Sequence, residues 1–411
     1  MPRPHTIKTS RRRRVLALLI PVVVLAASAC TVDRRVAEDL IESHTEGTFY
    51  TLPSPLPTGG PGTLIRSERL LGAPDGAIAW RVLYLSTDLN GAPMGVSGVI
   101  VSPVGPGPAG GRVVVSWAHP TTGSSGRCAP SVGVDPFLLM EGLHELLAAG
   151  YVVAATDYPG MGANGPPSYL IGTSEGNSVL DAARAARLIP DTHASDRLVV
   201  WGHSQGGQAA LFAAQDATTY APELHLIGAA VAAPATELGV LLDDHQDDVS
   251  GVTIGSYAFD AFERVYGADD PKVQLSTILT PAAIAALPKM TPLCLLGQMK
   301  EIHALADPLI GKFLAADPNT TEPWKSLLAE NTPGAKPIGV PMFVAQGEAD
   351  ELVKPTATAQ YVQGRCAAGE HVDFRTYPGI NHGEVADRAL FQFIPWINDV
   401  VDGRTTPSTC G

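Results

Sequence analysis

The chain alternates short apolar runs with stretches of helical periodicity, and this alternation is interrupted once. Apolar runs of strand length occupy residues 112–117, 151–156, 198–201 and 227–233, and helical spacing of apolar residues occupies 136–149 and 177–188. The alternation returns later, with strands at 340–345 and 372–377 and helices at 355–366 and 385–401. This pattern predicts an α/β fold, in which a mostly parallel central sheet carries helices on both faces.

The flanking and intervening segments predict the domain organisation. Residues 79–86 and 96–102 are β-rich and lie on either side of Asn90-Gly91, which predicts an opening antiparallel pair. Between residues 236 and 336 no central strand is predicted, and helices are expected at 256–266, 281–287, 295–305 and 323–330. We therefore expect one sheet domain from residues 63–235 and 337–411, with 236–336 inserted as a helical cap. Residues 30–62 end in a Pro/Gly-rich stretch and are predicted to form an N-terminal arm.

Composition and charge exclude some classes of partner. Hydrophobic residues make up 45% of the 411 residues and charged residues 17%, which is typical of a globular protein with a sizeable core. The formal net charge is −13 at pH 7. The first 29 residues carry six basic and no acidic groups, so the rest has 22 basic against 41 acidic residues and a charge near −19. A surface this acidic disfavours nucleic acid and anionic phospholipid as partners.

The N-terminus has the three parts of an export signal. Residues 11–14 are all arginine, residues 15–25 form an apolar run too short to span a bilayer comfortably, and small residues precede Cys30. We expect residues 1–29 to be a signal peptide and the protein to be secreted or held at the cell surface. Two outcomes are open: lipidation of Cys30 anchors the protein to the membrane, which we favour, or cleavage nearby releases it. The consecutive arginines also permit twin-arginine export.

Export makes the remaining cysteines informative. Apart from Cys30, the chain has Cys128, Cys294, Cys366 and Cys410, an even number for an oxidising compartment. Four cysteines allow three connectivities, and the sequence does not choose among them. The sequence has no C-x-x-C motif or Cys/His cluster, so we expect neither a metal site nor a cofactor.

The strongest chemical motif follows the predicted strand at 198–201. Gly202-His203-Ser204-Gln205-Gly206 comes directly after that strand, and a small-residue helix is predicted at 208–215. Strand, G-x-S-x-G and helix together are the context of the nucleophile elbow of an α/β-hydrolase, in which a strained turn exposes a serine hydroxyl. Ser204 is therefore the predicted nucleophile.

A second match to the same motif surrounds Ser174, in Gly172-Thr173-Ser174-Glu175-Gly176. This match follows a proline-broken loop instead of a strand, so it lacks the context of an elbow. We expect Thr173 or Ser174 to cap a helix that begins near Asn177.

A serine hydroxyl becomes nucleophilic only when a base accepts its proton. In the α/β-hydrolase fold the chain order is Ser, then Asp or Glu, then His, each on a loop that follows a strand. His382 follows the last predicted strand and precedes the last helix, which makes it the predicted base. His371 precedes that strand and is expected at the surface, and His203 is expected to point away from Ser204.

The acid of the triad is predicted one strand earlier, in the loop after residues 340–345. Asp350 is favoured because the G-x-x-D-x-x-V spacing of residues 347–353 places a short carboxylate at the turn. Glu348 and Glu351 compete for the role and are expected to face solvent. Asp350 is expected to orient His382 and to stabilise the imidazolium that forms during attack.

Two backbone N–H groups are expected to stabilise the oxyanion of the reaction. One belongs to Gln205, the residue after the predicted nucleophile. The other is expected from the loop after the strand at 112–117, where Thr122 is the first choice and Thr121 the alternative.

These residues together resemble the secretory lipase family. The resemblance rests on Phe49-Tyr50 before a Pro/Gly stretch, the run Cys128-Ala129-Pro130-Ser131, residues 150–153 leading to Asp157, and the elbow. It covers most of the chain after the signal, and the order of its motifs makes it specific. It implies an α/β-hydrolase with a helical cap between the sixth and seventh strands and hydrolysis of acyl esters. It also implies two disulfides, which we would pair as Cys128–Cys294 and Cys366–Cys410.

The predicted function is a secreted serine ester hydrolase that acts on lipid-like acyl esters as a monomer. Ser204, His382 and Asp350 are its expected triad, and the apolar cap is expected to line an acyl pocket. One alternative is a secreted peptidase or polyester hydrolase that uses the same triad. A more distant alternative is a surface lipoprotein that binds lipid without catalysis.

Overall fold

The computed structural model describes residues 48–411, so the predicted signal peptide, Cys30 and the first part of the predicted arm lie outside the described residues. Within that range nine strands form one sheet in the order β1-β2-β3-β5-β4-β6-β7-β8-β9. The strands are β1 Leu64–Leu70, β2 Ala77–Thr87, β3 Pro93–Pro103, β4 Arg112–Ala118, β5 Val152–Thr156, β6 Ala194–His203, β7 His225–Ala232, β8 Met342–Gly347 and β9 Val372–Tyr377. Pairing is antiparallel from β1 through β3 to β5 and parallel across the other strands.

The α-helices of the described residues fall into three groups. Those around the sheet are α1 Leu143–Ala148, α2 Gly172–Arg187, α3 Gln205–Tyr220, α9 Pro355–Ala367 and α10 Val385–Val401. Those between β7 and β8 are α4 Leu238–His245, α5 Val249–Tyr266, α6 Pro281–Met290, α7 Leu295–Ala306 and α8 Trp324–Glu330. Helices α2, α3 and α9 pack on one face of the sheet and α1 and α10 on the other, so both faces are buried, as parallel sheets require. No helix among residues 48–411 has the length and apolarity needed to cross a membrane.

The edge strand β1 was not predicted from the sequence. Its residues LIRSERL do not alternate cleanly, and most of the strand is exposed or half-buried because it pairs on one side only, with β2. The extra strand also shifts the position of the helical insertion. That segment lies between the seventh and eighth strands of this sheet instead of the sixth and seventh.

Several helix boundaries also differ from the sequence prediction. The helix expected at 136–149 is confined to α1, because Gly142 has φ of +81°, a left-handed conformation that ends helical winding before it. Helix α2 begins at Gly172, five residues before the expected start near Asn177. Its N-cap is Ile171 without a side-chain cap, so neither Thr173 nor Ser174 caps it, and Ser174 is buried in the first turn. Helix α4 was not predicted at all.

The helical segment between β7 and β8 has a hydrophobic core of its own. Phe259, Phe262 and Trp324 are buried there, and the rings of Phe259 and Trp324 meet edge to face with centroids 5.5 Å apart. A disulfide from Cys128 to Cys294 ties the start of α7 to the loop after β4. A second disulfide joins Cys366 in α9 to Cys410 near the C-terminus. This is the pairing that the family resemblance implies.

The turn from β6 into α3 depends on glycines that let two backbones approach each other closely. A Cβ on Gly202 would lie 2.1 Å from the carbonyl oxygen of Gly206, and a Cβ on Gly206 would lie 1.9 Å from that of Ala118. Both distances are far below van der Waals contact, and the opposing atoms are backbone atoms that cannot rotate away. Helix α3 can therefore start directly above β4 and β6 only when both positions are glycine.

We predict that Gly206→Ala lowers the free energy of unfolding by about 3 kcal/mol or prevents folding, because the added methyl group overpacks a rigid contact. The matched control is Gly364→Ala in α9, where an added Cβ would have no atom within 4 Å. That change is expected to raise stability by about 0.5–1 kcal/mol, since alanine is the better helix former. Urea unfolding curves of the two variants measure both effects. Equal urea midpoints for Gly206→Ala and Gly364→Ala would show that the close contact at Gly206 does not limit stability.

Candidate active site

Ser204 lies in a strained turn between the end of β6 and the start of α3. Its φ is +57° and its ψ is −119°, a conformation that non-glycine residues rarely adopt. The strain is maintained by hydrogen bonds on both sides: Ser204 N donates to Ala232 O at 2.9 Å, and Ser204 O accepts from Gly207 N at 3.0 Å. Backbone strain of this kind concentrates at functional sites, where it positions a side chain that a relaxed turn would not present.

His382 and Asp350 meet at this turn although they lie far from Ser204 in sequence. His382 Nε2 is 2.9 Å from Ser204 Oγ, and His382 Nδ1 is 2.8 Å from Asp350 Oδ2. The other carboxylate oxygen of Asp350 accepts hydrogen bonds from the N–H groups of Leu352 and Val353, at 2.9 and 2.8 Å. Because a carboxylate only accepts, Nδ1 of His382 carries a proton and Nε2 faces the hydroxyl as a base.

The electrostatic environment keeps the His382 imidazole in its basic form. Burial lowers the pKa of His382 below its usual value, the hydrogen bond to Asp350 opposes that shift, and the neighbouring His203 reinforces it. A lowered pKa means that the imidazole is neutral at pH 7, as a base that accepts a proton from a serine must be.

The sequence analysis considered two other histidines, His371 and His203, and two other carboxylates, and the structure gives the surroundings of each. His371 precedes β9 and is half-buried instead of lying on the open surface, because its Nε2 is 3.0 Å from Thr406 O. Glu348 and Glu351 are exposed, as expected. His203 does not turn away from the site: its ring lines the same cavity as Ser204 and lies 4.9 Å from that of His382. The strained turn at Ser204 is the reason, since it breaks the alternation of an ordinary strand and lets neighbouring side chains share one face.

Gln205 begins α3 and presents its backbone N–H at a helix N-terminus. The first N–H groups of a helix have no partner within the helix, and the helix dipole favours negative charge there. The side chain of Gln205 is held by a buried carboxyl group, since its Nε2 donates to Glu175 Oε1 at 2.7 Å. Glu175 also accepts from Leu170 N at 3.0 Å, and its burial raises its pKa well above the usual value.

The two threonines of the loop after β4 have different surroundings. Thr121 lines the cavity next to Ser204, and its Oγ1 is 2.7 Å from the hydroxyl of Tyr169. Thr122 is buried, its carbonyl accepts from Leu295 N at 2.9 Å, and it does not line the cavity. Of the two candidates for the second oxyanion donor, Thr121 is therefore the one that lines the cavity.

A cavity of about 510 Å³ opens from Ser204 into the helical segment between β7 and β8. Its polar end contains Ser204, His382, His203, Glu141 and Asp387, and the rest of its wall is mainly apolar. The apolar wall includes Leu241, Ile254, Ala258, Phe262, Leu328 and Leu352. Within residues 48–411 no group of three His, Cys, Asp or Glu side chains is placed to hold a metal ion.

Sequence reasoning missed Glu141, Glu175 and Asp387. Glu175 belongs to the second G-x-S-x-G match, so the motif that we set aside for its serine supplies the carboxyl group under Gln205. A single acidic residue directly after the apolar run 137–140 was the available signal for Glu141. Asp387 lies in the first turn of α10 and had no distinguishing pattern.

Comparisons with known proteins agree with this fold. A family model described as secretory lipase matches residues 131–409. Lipase A of Moesziomyces aphidis is 24% identical over 428 aligned positions, which cover 97% of this chain and 88% of that protein.

Solved structures match the same fold. The closed state of Candida antarctica lipase A superposes with a TM-score of 0.74 at 20% identity, covering 89% of this chain and 88% of that one. A rice cell wall degrading esterase of Xanthomonas oryzae superposes with a TM-score of 0.69 at 20% identity, covering 84% and 100%. The fold is therefore that of the α/β-hydrolases. Because the family model covers most of the chain, this protein belongs to the secretory lipase family and is a serine ester hydrolase.

Proposed function

We propose that this protein hydrolyses lipid-like acyl esters through an acyl-enzyme formed on Ser204. The observation that carries the proposal is the continuous pair of hydrogen bonds in which the Ser204 hydroxyl donates to His382 Nε2, at 2.9 Å, and His382 Nδ1 donates to Asp350, at 2.8 Å. This is the geometry in which a serine hydroxyl becomes a nucleophile, with its base oriented by a buried carboxylate.

The steps follow from the positions of the three side chains. His382 Nε2 accepts the hydroxyl proton as Ser204 Oγ bonds to the ester carbonyl carbon, and the carbonyl oxygen takes up the negative charge. The N–H groups of Gln205 and Thr121 are the proposed donors to that oxygen. His382 then gives the proton to the departing alkoxide, and water attacks the acyl-enzyme by the same route to release the acid.

The shape and chemistry of the cavity support an apolar acyl group as the substrate's acid part. Its wall beyond Ser204 is built from aliphatic and aromatic side chains of α4, α5, α7 and α8. Apolar surface gains about 25 cal/mol for each Å² that is removed from water, so a hydrocarbon chain would be drawn into it. The relatives described as lipases support the same substrate class.

Export and lipid anchoring belong to the proposal as well. The name of the matching family and two disulfides support an oxidising, extracytoplasmic location. We propose that residues 1–29 direct export and that Cys30 carries the lipid anchor.

The nucleophile is tested by fluorophosphonate labelling and turnover of a p-nitrophenyl ester. We expect Ser204→Ala to lose labelling and to lose at least about a thousandfold in turnover, because the triad acts as a unit. The matched control is Ser174→Ala, which changes the serine of the second motif and should retain both. Undiminished turnover in a folded Ser204→Ala protein would disprove the assignment. A wild-type protein that fails to label would favour a non-catalytic lipid carrier.

The acyl pocket is tested by narrowing it. We expect Ala258→Trp to lower kcat/KM for p-nitrophenyl octanoate relative to the acetate by about tenfold or more, because the indole would fill space that the longer chain needs. Ala285→Trp is the control, since Ala285 is exposed on α6 and does not line the cavity. An equal loss for both esters would indicate that the acyl chain binds elsewhere.

The N-terminus is tested by mass spectrometry of the protein recovered from its native host. We expect the mature chain to begin at Cys30 and to carry the mass of attached acyl chains, and we expect Cys30→Ser to release the protein into the medium. A mature terminus elsewhere without added mass would show that the protein is secreted in a soluble form.

A further inference from the structure

His203 has a partner on one side of its ring and none on the other. Its Nδ1 is 2.9 Å from Glu141 Oε1, and no hydrogen-bond partner for its Nε2 is found among residues 48–411. The residue is only 4% exposed, so water does not freely solvate this nitrogen from the bulk. A buried polar atom without a partner is unfavourable, and one beside a binding cavity can gain its partner from a bound ligand.

The Glu141 side chain decides which nitrogen carries the proton. A carboxylate only accepts hydrogen bonds, so Nδ1 of His203 donates to Glu141, and in the neutral form of the ring Nε2 is left as an acceptor. The second oxygen of Glu141 accepts from Trp117 Nε1 at 2.8 Å, and its backbone carbonyl accepts from Trp201 Nε1 at 3.0 Å. These bonds hold the carboxylate in place, so the His203 ring has a defined orientation and its unpartnered nitrogen a defined position beside the cavity.

The position of the ring indicates which part of a substrate it faces. In the proposed reaction His382 Nε2 protonates the departing alkoxide, so the alcohol part of the ester must lie beside the His382 ring. The ring of His203 is 4.9 Å from it, centroid to centroid, and lines the same cavity. The acyl chain has the apolar wall on the α4 and α5 side, whereas the alcohol part meets His203, Glu141 and Asp387.

We infer that His203, held by Glu141, binds a free hydroxyl group on the alcohol part of the substrate. This inference rests on the proposed ester hydrolysis and narrows its substrate class. The preferred esters are those of glycols, glycerol or sugars that keep an uncharged hydroxyl next to the ester bond. The carboxylates of Glu141 and Asp387 at the same end of the cavity disfavour alcohols that carry a phosphate or another anion.

The cavity contains a matched control for this role. His245 also lines it and is also buried, but both of its ring nitrogens are occupied. Its Nδ1 is 2.6 Å from Asp248 Oδ2, and its Nε2 is 2.7 Å from the carbonyl oxygen of Leu352. Replacing His245 therefore removes an imidazole from the cavity wall without removing a free acceptor.

The test compares kcat/KM for 2-hydroxyethyl butanoate and propyl butanoate, whose alcohol parts have the same size and differ by a hydroxyl group. Release of butanoic acid is titrated at pH 8, where an ordinary imidazole is neutral. We expect His203→Phe to lower the hydroxyethyl-to-propyl ratio by roughly three- to tenfold, the effect of one lost hydrogen bond. His245→Phe should leave the ratio unchanged. Because both esters are measured on the same variant, a general loss of triad activity lowers both kcat/KM values equally and leaves their ratio unchanged.

A second variant, Glu141→Gln, should change Nε2 of His203 from a hydrogen-bond acceptor to a donor. This test does not depend on the folding of His203→Phe. In Glu141→Gln the amide oxygen must face Trp117, which only donates, so the amide NH₂ faces Nδ1 of His203 and the ring proton moves to Nε2. Nε2 then donates a hydrogen bond, which the oxygen of a hydroxyl or of a methoxy group can accept. We therefore expect the variant to lose the preference for 2-hydroxyethyl over 2-methoxyethyl butanoate that we expect of the wild-type protein.

The outcomes separate this inference from the proposed function. Unchanged ratios in both His203→Phe and Glu141→Gln, with all esters still hydrolysed, would overturn the hydroxyl subsite alone. An equal change in His203→Phe and His245→Phe would overturn it as well, because the effect would then be one of shape. Absence of turnover on every ester by the wild-type protein would overturn the proposed function, and the subsite with it.

Discussion

The active-site geometry depends on one backbone contact, the approach of Gly206 at the start of α3 to the carbonyl of Ala118 at the end of β4. Because no side-chain atom intervenes, the N-terminus of the helix lies directly over the carboxyl ends of two parallel strands. Ser204 must then adopt a positive φ to connect strand and helix, which turns its hydroxyl toward His382. The same contact directs the N–H of Gln205 toward the space above the sheet. The positions of the proposed nucleophile and of one proposed oxyanion donor thus follow from a single steric constraint.

The helical segment between β7 and β8 is held to the sheet domain close to this contact. The Cys128–Cys294 disulfide and the hydrogen bond from Leu295 N to Thr122 O join α7 to the loop that carries the proposed oxyanion donor. On the other side Gln208 of α3 donates to the carbonyl of Asn331, at 2.7 Å. Asn331 in turn accepts from Gly172 N at the start of α2, at 2.8 Å. The wall of the cavity and the loops around Ser204 are therefore parts of one packed unit.

The polar and the apolar side chains of the cavity come mostly from different elements. Helices α4, α5 and α8 supply most of the aliphatic and aromatic side chains, and the end of β6 and the first turn of α10 supply His203 and Asp387. The loop before α1 supplies Glu141 together with the apolar residues 138–140. Ser204 lies between the two sides. An ester has the same division, with an apolar acid part and an alcohol part that often bears further oxygen atoms. The two walls can therefore recognise the two halves of one substrate.

The sequence by itself determined the strand–elbow–helix unit, the order of Ser204, Asp350 and His382, and the helical nature of the segment that follows β7, because these depend on local periodicity and on glycine at short range. It missed β1, whose edge position leaves no alternation to read, and it placed the start of α2 five residues late. It preferred Thr122 to Thr121, although only Thr121 lines the cavity, and it expected His203 to point away from Ser204, although His203 lines the same cavity. Only the tertiary structure decided those points, because they depend on which groups from distant parts of the chain fill the space around a side chain. Glu175 beneath Gln205 and Glu141 beside His203 are such groups, and no spacing in the sequence records that they meet.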